Sequence, residues 1–389
     1  MRKVVASVCA ASTFACASMS AVAADKIKIG FLSTLSGPVA FLGTDIRDAF
    51  TMAVKNNGGK LGGLPVEFIV VDDQLKPDHA RQQAERLVNK ERVDIVMGTT
   101  FSNIVLAVAP LIFESKTLYM ANAGPSQLAG KQCNPLFLNL AWNTDSYLEA
   151  VGKYLTDRGV KQVVFIAPNY QAGQDAFAGF KRYYKGEIAR EFWTALNQLD
   201  YSAELAQIRA VKPETVVYFL PGGMGINFVK QFVGAGLTKD IQLFAPGFVA
   251  DQDIIQAVGP SMVGLFNAAH WAPDLANAQN QKFVAAFEKE YGRKPSIFAS
   301  QGYDEAVLLD AAIRRVNGKV EDRKAFYAAL RSVQWESVRG DFKFNKNGFP
   351  IHDFHLRVVS KDASGRLTNK SMGKIFEKHP DPYVAECKL

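Results

Sequence analysis

Apolar positions along the chain fall into two recurring patterns: short continuous runs, and longer stretches in which they return every three to four residues. The runs at 26–32, 65–72, 93–97 and 117–121 read as buried strands. Between them, 45–56, 77–90 and a stretch beginning at Ile104 carry the helical period, and Gly58 and Gly59 end the first of these. Beyond Trp142 the alternation starts again. Helices are expected at 145–157, 174–185, 203–210 and 226–234, with strands at 162–167, 187–194, 215–220 and 242–244. Helical stretches at 279–291, 301–315 and 323–332 follow, and a tail from Asp341 returns as strands with turns at Asn347-Gly348 and Ser364-Gly365. Two βα sets in series imply an α/β chain with a parallel sheet in each of two lobes. Length agrees, since about 365 residues beyond a leader exceed what one core usually supports.

One joint in this pattern carries candidate chemistry. The strand ending at Met97 is followed by Gly98, then Thr99, Thr100 and Ser102, then the helix beginning near Ile104. Ser102 stands where a helix N-cap is expected, beside free N–H groups and the positive end of a helix dipole. Two readings follow from the same position: a cap, or part of an anion site. The next strand also ends in a small-residue turn, Asn122-Ala123-Gly124-Pro125-Ser126, and adjacent strand ends bearing polar loops make ligand crevices in open α/β sheets.

The first 23 residues have the form of an export leader: Arg2 and Lys3, an apolar stretch from Val4 to Met19, and Ala21-Val22-Ala23 as a cleavage site. The expected location is therefore the periplasm. Cys9 and Cys16 leave with such a leader, and Cys133 and Cys387 remain as an expected disulfide. Closing so long a loop is worth about 5 kcal/mol in the chain-entropy model. The net charge of +7 is spread among interleaved acids, and no basic block suggests nucleic acid as a partner.

The residues give little support to catalysis. His352 and His355 lie three apart on a strand and face opposite ways, so no metal is expected. Gly222-Gly223-Met224-Gly225 lacks dinucleotide-binding spacing, Gly124 to Lys131 misses phosphate-loop spacing by one residue, and no G-x-S-x-G elbow occurs. The expectation is a binding protein without a cofactor. A ligand-sensing module of the same fold and a secreted hydrolase are the rival classes.

The segments I-K-I-G-F-L-S-T-L-S-G-P-V-A-F-L-G at 27–43, V-D-D-Q-L-K-P at 71–77, V-M-G-T-T-F-S-N at 96–103, N-A-G-P-S at 122–126 and P-N-Y-Q-A-G at 168–173 together resemble the periplasmic substrate-binding proteins of ABC transporters, of the branched-chain amino acid (Leu/Ile/Val-binding) type. The resemblance spans nearly all of the chain after the leader. It implies a type I periplasmic binding protein with two Rossmann-like lobes, joined by three hinge crossovers near 140–145, 269–274 and 345–355. Lobe 1 would comprise 24–142 and 273–350, and lobe 2 would comprise 143–272 and 351–389. A membrane permease is the implied partner.

The resemblance also implies site residues. Ser102, with Phe101 beside it, matches the serine that binds the ligand carboxylate; Ala123, Gly124 and Ser126 match the turn completing that clamp; Tyr170 matches the covering tyrosine of lobe 2. Gly223 stands where such proteins carry another aromatic. Leu42 and Arg47 follow the first loop, Arg47 as a pocket anion partner or a surface ion-pair residue, and Phe248 and Trp271 offer aromatic walls. Gly247 is the informative departure, because amino-acid binders of this type carry an acid there for the ligand ammonium. A buried cation without a partner is costly. The expected ligand is therefore a small aromatic carboxylate; the N-A-G-P-S turn and the D-P-Y-V-A-E-C stretch at 381–387 resemble members that take up acids of benzoate or hydroxycinnamate type. A branched-chain amino acid or amide is the alternative, to be restored by an acid such as Asp251 or Asp253.

Overall fold

The computed structural model describes residues 24–389, so the leader at 1–23 lies outside the described residues. The chain begins with β1 (Ile27–Ser33), α1 (Ala40–Asn56), the hairpin β2 (Lys60–Leu61) and β3 (Leu64–Asp72), and α2 (Pro77–Glu85). It continues through β4 (Ile95–Met97), α3 (Ser102–Glu114), β5 (Leu118–Ala121), α4 (Ser126–Ala129) and β6 (Phe137–Asn139). These strands form one sheet in the order β2-β3-β1-β4-β5-β6. β1 pairs in parallel with both β3 and β4. Helices cover it on either face, which is why its sequence is a continuous apolar run instead of an alternating one.

The second lobe repeats the plan: α5 (Thr144–Asp157), β7 (Gln162–Pro168), α6 (Gln171–Tyr183), β8 (Glu187–Thr194), α7 (Ser202–Val211) and β9 (Thr215–Tyr218). α8 (Gly223–Gly234), β10 (Gln242–Pro246), α9 (Gln252–Val258) and β11 (Phe266–Ala269) follow. The chain then returns to the first lobe as α10 (Ala278–Tyr291), α11 (Ile297–Arg315) and α12 (Arg323–Ser332), with α11 packed along α1. Finally β12 (Lys343–Phe344), β13 (Pro350–Lys361) and β14 (Leu367–His379) close the second sheet, ordered β12-β13-β11-β10-β9-β7-β8 with β14 on β13. β13 runs antiparallel to β11, so an otherwise parallel sheet ends in an antiparallel edge.

The lobes are joined where β6 leads to α5, where β11 leads to α10, and again before β13. Two fully buried arginines tie these connections together. Arg339 donates to the carbonyl of Leu140 at 2.7 Å and to Asp304 at 2.9 Å. Arg357 donates to the carbonyl of Trp271 at 2.9 Å, to Asn267 at 2.7 Å and to the carbonyl of Gly247 at 2.9 Å. Such charges are tolerated inside a protein only when paired and hydrogen-bonded: Arg357 uses all three of its nitrogens, and Arg339 uses Nε and Nη1 while its Nη2 has no partner among the described residues. Next to them His270 stacks on His352 with centroids 4.9 Å apart and meets the Tyr147 hydroxyl at 2.8 Å. The expected disulfide is formed between Cys133, after α4, and Cys387, beyond β14, so the C-terminal tail is anchored on the first lobe.

Candidate functional site

At the end of β4, Gly98 takes a φ of +98° with the Phe31 ring close against it, a conformation that L side chains rarely adopt. Thr99 then donates to the carbonyl of Leu32 at 3.2 Å, which holds the loop on the sheet. Phe101 is the extended N-cap residue, and Ser102 is the first residue of α3, whose N-terminus has no side-chain cap. Of the two readings of Ser102, the cap is therefore not the one the fold uses. Its Oγ instead accepts a hydrogen bond from the amide of Ala172 at 3.1 Å. Ala172 lies in the first turn of α6, on the other lobe, and that helix also starts without a side-chain cap, after Tyr170. Two helix N-termini thus converge on one point of the interlobe cleft, each bringing orphan N–H groups and the positive end of its dipole. The Ser102 hydroxyl, acting there as acceptor, keeps its own proton to donate.

A narrow cavity of about 30 Å³ opens at this point. Its walls are aromatic: Phe101, Trp142, Phe219, Phe248 and Phe298. Trp142 and Phe248 stack with centroids 5.3 Å apart and planes within 12°, and Phe219 meets Phe248 edge-on at 5.3 Å. Leu42, Ala123, Ala172 and Pro221 complete the apolar lining, and Thr100, Ser102, Thr144 and Tyr170 supply the polar groups. The buried Thr100 hydroxyl has no hydrogen-bond partner among the described residues. Burial, reinforced by the charge of Asp175, holds the Tyr170 phenol well above its ordinary pKa, so it remains a neutral donor. No lining residue carries a charge.

Of the residues singled out in the sequence, Leu42, Phe101, Ser102, Ala123, Tyr170 and Phe248 are brought together around this cavity. Six others stand elsewhere. Gly124 lies behind the wall, its carbonyl accepting from the Thr144 amide and hydroxyl at 3.0 and 2.9 Å. Ser126 faces Asp175 of α6, its hydroxyl donating to the carboxylate at 2.7 Å and its amide at 3.1 Å. Gly223 sits at the cleft mouth against Pro38. Arg47 is the surface ion-pair residue, bound to Asp48 at 2.8 Å. Trp271 is fully buried in the hinge and donates to Asn280 at 2.7 Å. Thr100 was among the hydroxyls of the Gly98–Ser102 joint, whereas sequence reasoning missed Trp142, Thr144, Ala172, Phe219, Pro221 and Phe298 as lining residues. Trp142, Phe219 and Phe298 lie at element ends whose apolar character reads as core, and Thr144 reads as the start of its helix.

Gly247 is the remaining one, and its surroundings explain the departure noted above. A Cβ at Gly247 would stand 2.5 Å from the Cβ of Ala269 and 2.9 Å from Nη2 of Arg357, so a side chain has no room. The nearby acids are engaged elsewhere. Asp251 accepts from the Ile297 amide and lies 3.7 Å from Arg357; burial, partly offset by Arg357, pushes its pKa up to about 6. Asp253 packs against Asp45, and burial together with that neighbouring carboxylate pushes its pKa up to about 8. Asp45 is itself paired with Arg293 at 2.6 Å. Neither Asp251 nor Asp253 lines the cavity.

A family model described as periplasmic binding protein matches residues 26–365. This chain belongs to the periplasmic binding protein family. A benzoate-bound solute-binding protein of an ABC transporter from Rhodopseudomonas palustris is 31% identical, with a TM-score of 0.88, over 94% of this chain and 100% of that one. A second, from R. palustris BisB5 in complex with 3,4-dihydroxybenzoic acid, is 30% identical with a TM-score of 0.87, over 92% and 99%. Among curated relatives, Leu/Ile/Val-binding protein homolog 6 of Brucella melitensis is 29% identical over 93% of this chain and 95% of its own length. The fold is thus the α/β type I periplasmic binding protein fold, and the chain is a solute-binding protein of the ABC-transporter kind.

Proposed function

We propose that this periplasmic binding protein captures a small aromatic monocarboxylate, of benzoate or hydroxycinnamate type, and delivers it to a membrane permease after hinge closure. One observation carries the reading: the uncapped N-termini of α3 and α6 meet at the Ser102–Ala172 bond, beside an aromatic cavity with no acid in its lining. The carboxylate goes to the helix N-termini, with Ser102 and Thr100 as hydroxyl donors. The ring lies among Trp142, Phe248, Phe219 and Phe298. An ammonium group would enter this cavity without a counter-charge. Binding favours the closed arrangement, because only there do both lobes contact the ligand.

The same reading makes residues 24–142 with 273–350 and 143–272 with 351–389 the two moving lobes, except that β12 at 343–344 joins the second sheet and the disulfide holds the tail at Cys387 on the first lobe. It makes the chain a binder without turnover, exported to the periplasm by its leader. Among the described residues no helix is long and apolar enough to cross a membrane. The neighbours that hold benzoate and 3,4-dihydroxybenzoic acid support the ligand class, as does the R. palustris protein in complex with 4-hydroxybenzoate, 27% identical. The test is a thermal-shift panel on refolded, ligand-stripped protein with benzoate, hydroxybenzoates, hydroxycinnamates, leucine, valine and short amides. A ligand at 100 times its Kd adds about 2.7 kcal/mol, an easily read shift. The aromatic acids should stabilise and leucine should not; stabilisation by leucine would favour the amino-acid alternative.

A further inference from the structure

We infer that Asp175 and Ser126 form a latch that holds the closed lobes together without touching the ligand, and so set how long the ligand stays bound. The inference rests on the hinge-closure reading above. Ser126 opens α4 on the first lobe and Asp175 belongs to α6 on the second. The Asp175 carboxylate receives the Ser126 hydroxyl at 2.7 Å and its amide at 3.1 Å, with a third bond from Gln171 on its own helix at 2.8 Å. Asp175 is buried, and neither it nor Ser126 lines the cavity. Because the partners lie on different lobes, both Ser126 bonds exist only while the lobes are together. On opening, carboxylate and donors return to water.

The charge and geometry decide where the effect falls. A carboxylate taking an amide and a hydroxyl from one residue is a directed, charge-assisted pair, stronger than a neutral contact. It forms on closure, with or without ligand, and the ligand enters the open cleft, so it acts on the closed state and not on encounter. Loss of the latch therefore raises the dissociation rate and leaves the association rate alone. Asp175 is a positioning residue in this scheme, because its effect passes through lobe closure.

The experiment is stopped-flow binding of benzoate, followed by the fluorescence of Trp142 in the cavity wall, on wild type, Asp175→Ala, Asp175→Asn, Ser126→Ala and the double variant Ser126→Ala/Asp175→Ala. Asp175→Ala should release benzoate about tenfold faster, with association unchanged within about twofold. Asp175→Asn keeps the shape but points an NH2 at the Ser126 amide or hydroxyl, and should fall between, which guards against a folding defect in the alanine variant. The double variant should release no faster than Asp175→Ala alone, since one interaction cannot be lost twice. Unchanged dissociation in Asp175→Ala, or additive effects in the double variant, would overturn the latch. A dye pair across the cleft gives a second reading in ligand-free protein, where Asp175→Ala should lower the closed fraction about tenfold. If benzoate fails to bind wild type, the ligand assignment falls. The latch is then decided by that closed fraction alone, an unchanged value refuting it.

Discussion

The two ends of the ligand cavity are built from the same materials and behave oppositely. At the α3–α6 end, the hydrogen-bonding groups of Ser102 and Thr100 and the first-turn amides are left with capacity to spare. At the Gly247 end, the backbone carbonyl is held by Arg357, Asp251 is held by the Ile297 amide, and Asp253 is packed against Asp45. Acids are present at the second end, yet none is free to meet a ligand. Selectivity here follows from which polar groups the fold has already satisfied, since an occupied group offers a ligand nothing and an orphan group rewards the partner that completes it.

The most severe way to break this contrast is Arg357→Ala. It leaves Asp251, Asn267 and the carbonyls of Gly247 and Trp271 buried without their donor, and should cost about 3–5 kcal/mol of stability by urea unfolding. Ser102→Ala attacks the other end. It removes the hydroxyl proton aimed at the carboxylate and should weaken benzoate binding by about 1.5–3 kcal/mol in calorimetry, with the unfolding midpoint little changed. Gly247→Asp tests whether an acid alone restores amine binding. The carboxylate has no room, so the expected outcome is about 1–3 kcal/mol of destabilisation and no leucine affinity.

The smallest effect is a pH dependence. Asp253 holds its proton up to about pH 8 in the folded chain, whereas an unfolded aspartate releases it near 3.9. The folded state therefore binds more protons between those values, and this group's contribution to stability declines as pH rises from about 4 to about 8. In Asp253→Asn that decline should lessen by an amount on the order of 1 kcal/mol between pH 7 and pH 8. Unfolding curves of the two proteins at both pH values read it directly.

Much of the fold was legible because strands buried on both faces and amphipathic helices announce themselves by period. The places that were not legible share a cause. The apolar period suggests starts near Asp45, Gln174, Ile226 and Gln301, but the helices begin at Ala40, Gln171, Gly223 and Ile297. Those first turns meet strand ends or the other lobe at close range. Gly43 lies against Ser33 and Thr34, Gly225 against the Leu220 carbonyl, and Ala172 at the Ser102 hydroxyl, so these positions follow the needs of close approach and not the 3.6-residue stripe. The same reasoning explains the site. Ser102 could be found from its strand–loop–helix joint, whereas Phe298 lies at a helix start and Trp142 in a crossover, where only the tertiary fold brings them to the cavity. Ser126 shows the converse. It has the right residue type in the right turn, but Asp175, 49 positions later, takes its donors first.

The measurement closest to the central claim is a calorimetric comparison of benzoate with benzamide, which has the same ring and nearly the same shape but no charge. If the convergent N-termini of α3 and α6 are the anchor, benzoate should bind at least tenfold more tightly, since a hydrogen bond to a charged group is worth about 1.5–3 kcal/mol. Ser102→Ala should narrow the difference. Equal affinities for the two, or tighter binding of benzamide, would contradict the account, because the cavity would then recognise the ring and not the carboxylate.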